Sequence, residues 1–220
     1  PASQIILVCN EFPYASNTPH LTILEKDFAV PETWEAGHTD KYTKIFHGLI
    51  EARQYAPCYL MRYDADDLLH REALSYIHHT QADVYLMDRG FGYAEGRKWV
   101  RKLKDFHKLC GTSNLAVINP EELPQTTEMR MHDVELMRCG HHIVEEFYAE
   151  RKRPLHRIPF PAVVYCAGSM ENHSGHDLAW SDSKRKQLEQ LFNTRPLTKR
   201  VRDQFGLFPI EEFESAIARR

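Results

Sequence analysis

The sequence predicts an α/β domain, a mostly parallel sheet flanked by helices. Two observations carry this expectation. Apolar runs too short for helices recur as IILVC (5–9), CYLMRY (58–63), VYLMD (84–88) and NLAVI (114–118), the pattern of buried parallel strands. Between several of them lie segments whose apolar residues repeat at helical spacing, and strands alternating with helices build parallel sheets.

Each element follows in order. IILVC is the first strand, and Asn10, Pro13, Asn17 and Pro19 mark the loop after it. LTILE (21–25) is a second short strand, followed by an irregular stretch around Pro31 and Gly37. From Asp40 the period changes: Ile45, Leu49 and Ala52, with Phe46 and Ile50 beside them, predict a helix over 40–55 that Pro57 ends. CYLMRY then runs directly into Asp64-Ala65-Asp66-Asp67, ahead of a helix over 70–79 and the strand VYLMD. Gly90, Gly92 and Gly96 break the next region, and KWVRKLKDFHKL (98–109) fits either a basic helix or a strand with a loop. NLAVI is a further strand, and 129–150 reads as helical with an interruption at Gly140. IPFPAVVYC (158–166) is the last strand, its start placed at an edge by Pro159 and Pro161. Helices over 183–192 and 197–205 complete a basic tail that ends at Gly206. No repeat or linker divides the 220 residues, so the chain reads as a single domain.

Composition removes several function classes. Hydrophobic residues at 42% and charged residues at 27% describe a globular chain. A formal charge of −3 with a pI near 6.5 argues against a nucleic-acid partner, which a net positive field would attract. No window holds 18 apolar residues, and the opening PASQIILVCNEFP lacks the basic flank and long apolar run of a signal peptide. The first residue is not Met, which reads as processing or excision from something longer. The five cysteines (Cys9, Cys58, Cys110, Cys139, Cys166) are odd in number and lack CxxC spacing, so reduced thiols in a cytoplasmic setting are expected.

The stretch that carries chemistry is Asp64-Ala65-Asp66-Asp67. A buried strand delivers three carboxylates to its carboxyl end, where ligands bind in open α/β sheets. Carboxylates this close repel one another unless a cation neutralises them. An all-oxygen set suits Mg²⁺ or Mn²⁺, which in turn takes phosphate oxygens. The plainer alternative is that Asp66 or Asp67 caps the helix over 70–79.

Residues 40–67, DKYTKIFHGLIEARQYAPCYLMRYDADD, resemble the nucleotide-sugar-binding core of family-two glycosyltransferases of the GT-A fold. There a helix with lysine, Gly and Ala (here Lys41, Lys44, Gly48 and Ala52) precedes an apolar strand and a DxD or DxDD signature. The whole chain is similar to a group of bacterial glycosyltransferases resembling the rhamnosyltransferases, through LVCNEFP, CGTS (110–113), PFPAVVY (159–165), ENHSG (171–175) and the RPLTKRVRDQFGL segment. The resemblance implies a nucleotide-sugar-binding part over about 1–90 and an acceptor side with the helical tail over about 91–220. It also implies that the fold opens with a strand holding the base and then a helix. This chain begins at the strand that follows them, so either those residues are missing from it or the base is held differently.

The roles implied by the resemblance are specific. Asp64 and Asp66, with Asp67 beside them, would hold the ribose and a divalent ion on the donor diphosphate. Lys41 and Lys44, three apart on one helix, can face that site and pair with phosphate, or simply decorate a solvated face. His173, in the segment Glu171 to His176, would complete the metal shell with an imidazole. An inverting transfer needs a base for the acceptor hydroxyl. Asp133 sits where family-two enzymes carry an acidic pair, with His132 in place of the first acid, and His141 and His142 compete for the role.

The remaining features read plainly. Trp99, Phe106, Trp180 and Phe192 are core candidates before they are sugar platforms. Lys184 to Arg202 carries seven Lys or Arg against one Glu, a solvated face or a contact with an anionic acceptor or the inner membrane surface. The expected activity is metal-dependent transfer of a sugar from a nucleotide donor to a glycan or lipid-linked hydroxyl. Two alternatives stand beside it. One is a degenerate module that binds nucleotide or sugar without turnover. The other is a phosphatase of the haloacid-dehalogenase type, although Leu68 occupies the place where that chemistry wants Thr or Val.

Overall fold

The computed structural model describes residues 3–12, 19–94, 96–167, 178 and 183–207. Strands β1 (Ile5–Cys9) and β2 (Leu21–Glu25) pair in parallel and precede helix α1 (Trp34–Ala52). The Thr33 hydroxyl caps α1 by accepting from the Ala36 N–H at 3.2 Å, which starts the helix six residues before its apolar stripe at Asp40. Strand β3 (Cys58–Met61), the two-residue strand β4 (Leu68–Leu69), helix α2 (Ala73–Thr80) and strand β5 (Val84–Leu86) follow. Strands β6 (Arg89–Ala94) and β7 (Trp99–Lys104) form a hairpin, and β8 (Asn114–Ile118) comes next. Helices α3 (Glu135–Arg138) and α4 (Val144–Glu150), strands β9 (Leu155–Arg157) and β10 (Val163–Ala167), helix α5 (Lys184–Asn193), strand β11 (Thr194–Pro196) and helix α6 (Lys199–Phe205) complete the order.

The class is α/β, but the sheets are mixed and not mostly parallel. Five of the eight strand pairings among the described residues are antiparallel. One sheet has the order β3-β8-β5-β9 and another the order β11-β7-β6-β10-β4. A strand buried on both faces shows the same continuous apolar run whichever way it points, so its sequence carries no direction. β8 enters between β3 and β5 running against both.

Alternation along the β3-β8-β5-β9 sheet separates two cores. Val84, Leu86, Ala116 and Ile118 pack with Phe46 and Leu49 of α1 and with Val144, Phe147 and Tyr148 of α4. Tyr85, Met87 and Leu115 point the other way, toward Ile77 of α2 and Val163 and Tyr165 of β10. The far face of the second sheet packs Phe91, Val100 and Val164 against Phe205 of α6. The molecule is therefore layered helix, sheet, sheet, helix across its described core.

Several local expectations need correction. Gly90 and Gly92 do not break the chain; both lie inside β6. A Cβ on Gly90 would stand 2.3 Å from the Phe106 ring, so glycine permits close packing there and not a turn. Gly90→Ala is expected to lower stability by about 1–3 kcal/mol through overpacking, read from denaturant unfolding. An unchanged midpoint would show that the buried Phe106 ring yields freely. Residues 98–109 resolve into β7 and a short turn at Phe106–Lys108. The helical pattern over 129–150 is cut into short pieces around Cys139 and Gly140. The strand expected over 158–166 begins only at Val163, beyond Pro159 and Pro161.

Candidate functional site

Topology gathers the candidate residues at one sheet edge. β3, β5 and β9 point the same way and β8 points against them. One edge therefore collects the residues after β3 (Arg62 to Asp67), Asp88 after β5, Arg157 at the end of β9, and Cys110 to Ser113 ahead of β8. This is the edge where strand ends leave backbone and side-chain groups free for a ligand.

The Asp64–Asp67 segment is a tight turn between β3 and β4, closed by the Asp67 N–H donating to the Asp64 carbonyl at 3.0 Å. It caps no helix: α2 begins at Ala73 behind Glu72, so the capping alternative is excluded. The CGTS segment is locked against this turn. The Asp64 N–H donates to the Thr112 hydroxyl at 2.8 Å, and the Cys110 thiol donates to Asp67 Oδ2 at 3.0 Å. A Cβ on Gly111 would meet Asp64 Oδ2 at 2.8 Å, so a side chain there would have to turn the Asp64 carboxylate aside.

Electrostatics divide the carboxylates. Asp66 is exposed, Asp64 is partly exposed, and Asp67 is only 2% exposed. Burial pushes the Asp67 carboxyl up to about 6; the Cys110 and Thr112 hydrogen bonds oppose this, while the charges of Asp64 and Asp66 add to it. Asp67 Oδ1 makes no hydrogen bond among the described residues. The Tyr63 hydroxyl donates to the Asp67 carbonyl at 2.5 Å, and burial, then Asp67, raise that phenol to about 12. The same burial and the Asp67 charge push the Cys110 thiol up, so it is a hydrogen-bond donor and not a nucleophile at neutral pH.

A raised carboxyl has a definite consequence for stability. Folding favours the protonated form of Asp67, so its contribution is fully present below the unfolded value near 4 and is lost as pH rises through about 6. A shift of roughly two units corresponds to about 3 kcal/mol at neutral pH. The stability difference between Asp67→Asn and the unmodified chain should therefore grow in favour of the variant as pH rises from about 4 to 7.5. Urea titrations in chelator measure this. A pH-independent difference would show that Asp67 titrates normally.

Lys41 reaches the carboxylates from α1, its Nζ 2.8 Å from Asp64 Oδ1. Lys44 instead pairs with Asp40, one turn back on the same helix, at 2.7 Å. The imidazole of His141 and the backbone two residues before it are each held. The Arg62 guanidinium, just before the carboxylate turn, donates to the Cys139 carbonyl. His141 Nδ1 lies 2.7 Å from the His107 carbonyl, and because a carbonyl only accepts, Nδ1 carries the proton and Nε2 keeps its lone pair. Burial holds this imidazole below the usual histidine range, and Lys41 and Asp64 are among the charges acting on it. His107 itself is buried with its Nε2 3.2 Å from Glu145 Oε2, close but not aligned as a hydrogen bond. His142 is exposed and meets the His141 ring edge-on at 5.5 Å.

Asp133 stands elsewhere in character. It is exposed, receives the Arg130 guanidinium at 2.9 and 3.3 Å, and lies 3.4 Å from His132 Nε2. Arg130 holds its carboxyl below the usual range, and the charges acting on it are Arg130 and His132. His173, His176 and Trp180 lie outside the described residues. Among the described residues no three His, Cys, Asp or Glu side chains gather as a closed metal cage. A Mg²⁺-type ion does not need one, since it is commonly held by one or two carboxylates together with substrate phosphates and water. The accessible oxygens of Asp64 and Asp66 fit that manner of binding.

Sequence reading missed Arg62, His107 and the locking role of Cys110 and Thr112. The one local signal was a Gly-containing polar loop immediately ahead of a buried strand. Comparison with protein-family models, curated proteins and solved structures finds no match.

Proposed function

We propose that this chain is a divalent-cation-dependent glycosyltransferase of the GT-A type, moving a sugar from a nucleotide-diphosphate donor to a hydroxyl of a glycan or lipid-linked acceptor. The observation that carries this reading is the convergence at one sheet edge of an accessible carboxylate turn, a lysine and a neutral, oriented imidazole. A diphosphate leaving group needs positive charge, and an acceptor hydroxyl needs a base.

Each residue has a definite task. Asp64 and Asp66 would hold a Mg²⁺ or Mn²⁺ ion, which when bound neutralises charge on the departing nucleoside diphosphate. Lys41, already paired with Asp64, is placed to exchange that partner for a phosphate oxygen. His173 remains part of the proposal as a further ligand. Lys44 would contribute only after leaving Asp40, and Asp67 supports the turn from within. His141 would take the acceptor proton on Nε2, because Nδ1–H is held by the His107 carbonyl. Asp133 is the second candidate base and must first be released from Arg130. His142 would serve the acceptor side.

A thermal-shift panel of UDP, GDP, CDP and dTDP, each with and without Mn²⁺, tests the reading. Binding to the native state stabilises it by RT ln(1 + [L]/Kd), so one nucleotide should stand out by a few kcal/mol at about 100 Kd. Donor hydrolysis under the same conditions separates an enzyme from a binding module. A cation-dependent shift without turnover would leave the module, and no shift with any nucleotide would overturn both.

A further inference from the structure

Helix α5 is built inside out. Its sequence, KRKQLEQLFN, places Leu188, Leu191 and Phe192 on one face at i, i+3 and i+4 spacing. A helix packed on a protein body normally turns such a face inward. Here Leu188, Leu191 and Phe192 are 58%, 59% and 82% exposed. The half-buried residues are Gln190 and Asn193, on the opposite side of the helix, where α5 lies near β7. No residue of α5 is buried.

The charges on that helix select its partner. Lys184 and Arg185 precede Leu188 by four and three residues, so both cations project on the same side as the apolar stripe. Lys186 is also exposed, and Arg195 and Arg200 continue the exposed positive run just beyond the helix, while Lys199 pairs with Asp203 at 3.1 Å. Against these stands Glu189 within α5. A second copy of the chain facing this surface would set cations against cations. An anionic surface with an apolar interior complements both features at once.

We propose that the exposed face of α5 is an interfacial docking element for anionic phospholipid bilayers, with Leu188, Leu191 and Phe192 entering the acyl boundary and Lys184 and Arg185 meeting the headgroups. The helix is too short and too polar to span. Among the described residues no helix is long and apolar enough to cross a membrane. It would therefore lie in the plane of the interface, where apolar area and basic residues act together. The inference is independent of the transfer chemistry.

The test is sedimentation of the full chain with vesicles of phosphatidylcholine alone or mixed with phosphatidylglycerol. Binding is expected only to the mixed vesicles, weakening as salt is raised. The combined Leu188→Ser, Leu191→Ser and Phe192→Ser variant should lower partitioning at least about tenfold. Lys184→Glu with Arg185→Glu should lower it by at least about twenty-five-fold, since each basic residue near such a surface contributes about fivefold. All five side chains are exposed, so an unchanged melting temperature is expected and confirms that the variants fold. Absence of binding by the unmodified chain, or equal binding by the apolar variant, overturns the proposal. A chain that is dimeric in light scattering, and becomes monomeric on the three serine substitutions, would assign the face to a second copy and overturn it as well.

Discussion

Asp66→Asn is expected to remove the Mn²⁺-dependent part of nucleotide affinity and to lower sugar transfer by at least about a thousandfold. The side chain is exposed at the tip of the carboxylate turn, so the change spares the core. Asp67 carries the buried hydrogen bond from Cys110, and Asp64 accepts Lys41. Cooperative unfolding should therefore stay close to that of the unmodified chain. Calorimetric titration of the nucleotide with and without Mn²⁺ reads the effect directly. An Asp66→Asn protein that keeps its full cation-dependent affinity would dismiss this carboxylate as a ligand.

His141→Ala should lower kcat by about a hundredfold to ten-thousandfold while donor affinity is nearly preserved. The imidazole is held below the usual histidine range by burial, so it stays neutral and able to accept a proton down to mildly acidic pH. The pH profile should accordingly keep its plateau below the ordinary histidine value near 6.5 and fall only on further acidification. Asp133→Asn provides the contrast. Its carboxylate is already engaged by Arg130, and a large loss of kcat there, with His141→Ala nearly silent, would transfer the role to Asp133.

What the sequence made legible was local. β1 and β2 begin and end where their apolar runs do, and the carboxylates after CYLM were visible as a strand-end cluster. Two partners could have been read from spacing alone: Asp40 four residues before Lys44, and Arg130 three before Asp133. The rest depends on contacts between distant residues. The His107 carbonyl that orients His141 lies 34 positions away, and Thr112 meets Asp64 across 48. Gly90 was read as a break because glycine in a sequence signals both turns and close approaches, and only the Phe106 ring decides between them. Strand direction was likewise hidden, since a buried apolar run has no arrow.

The interposition of β8 between β3 and β5 has a consequence for how the chain is made. A ribosome delivers β3 and β5 first, with no hydrogen-bonded ladder available between them, and they wait for a strand some thirty residues further on. β9 then completes that sheet only after the chain has passed Arg157, and β10 joins β6 later still. The first ninety residues are therefore no self-sufficient folding unit, even though they hold the whole carboxylate turn. Nascent chains arrested before residue 114 should remain open to protease, and protection should arrive in one late step once β9 and β10 have emerged. The edge that gathers the candidate residues exists only once β9 is in place, long after the carboxylate turn itself has been made.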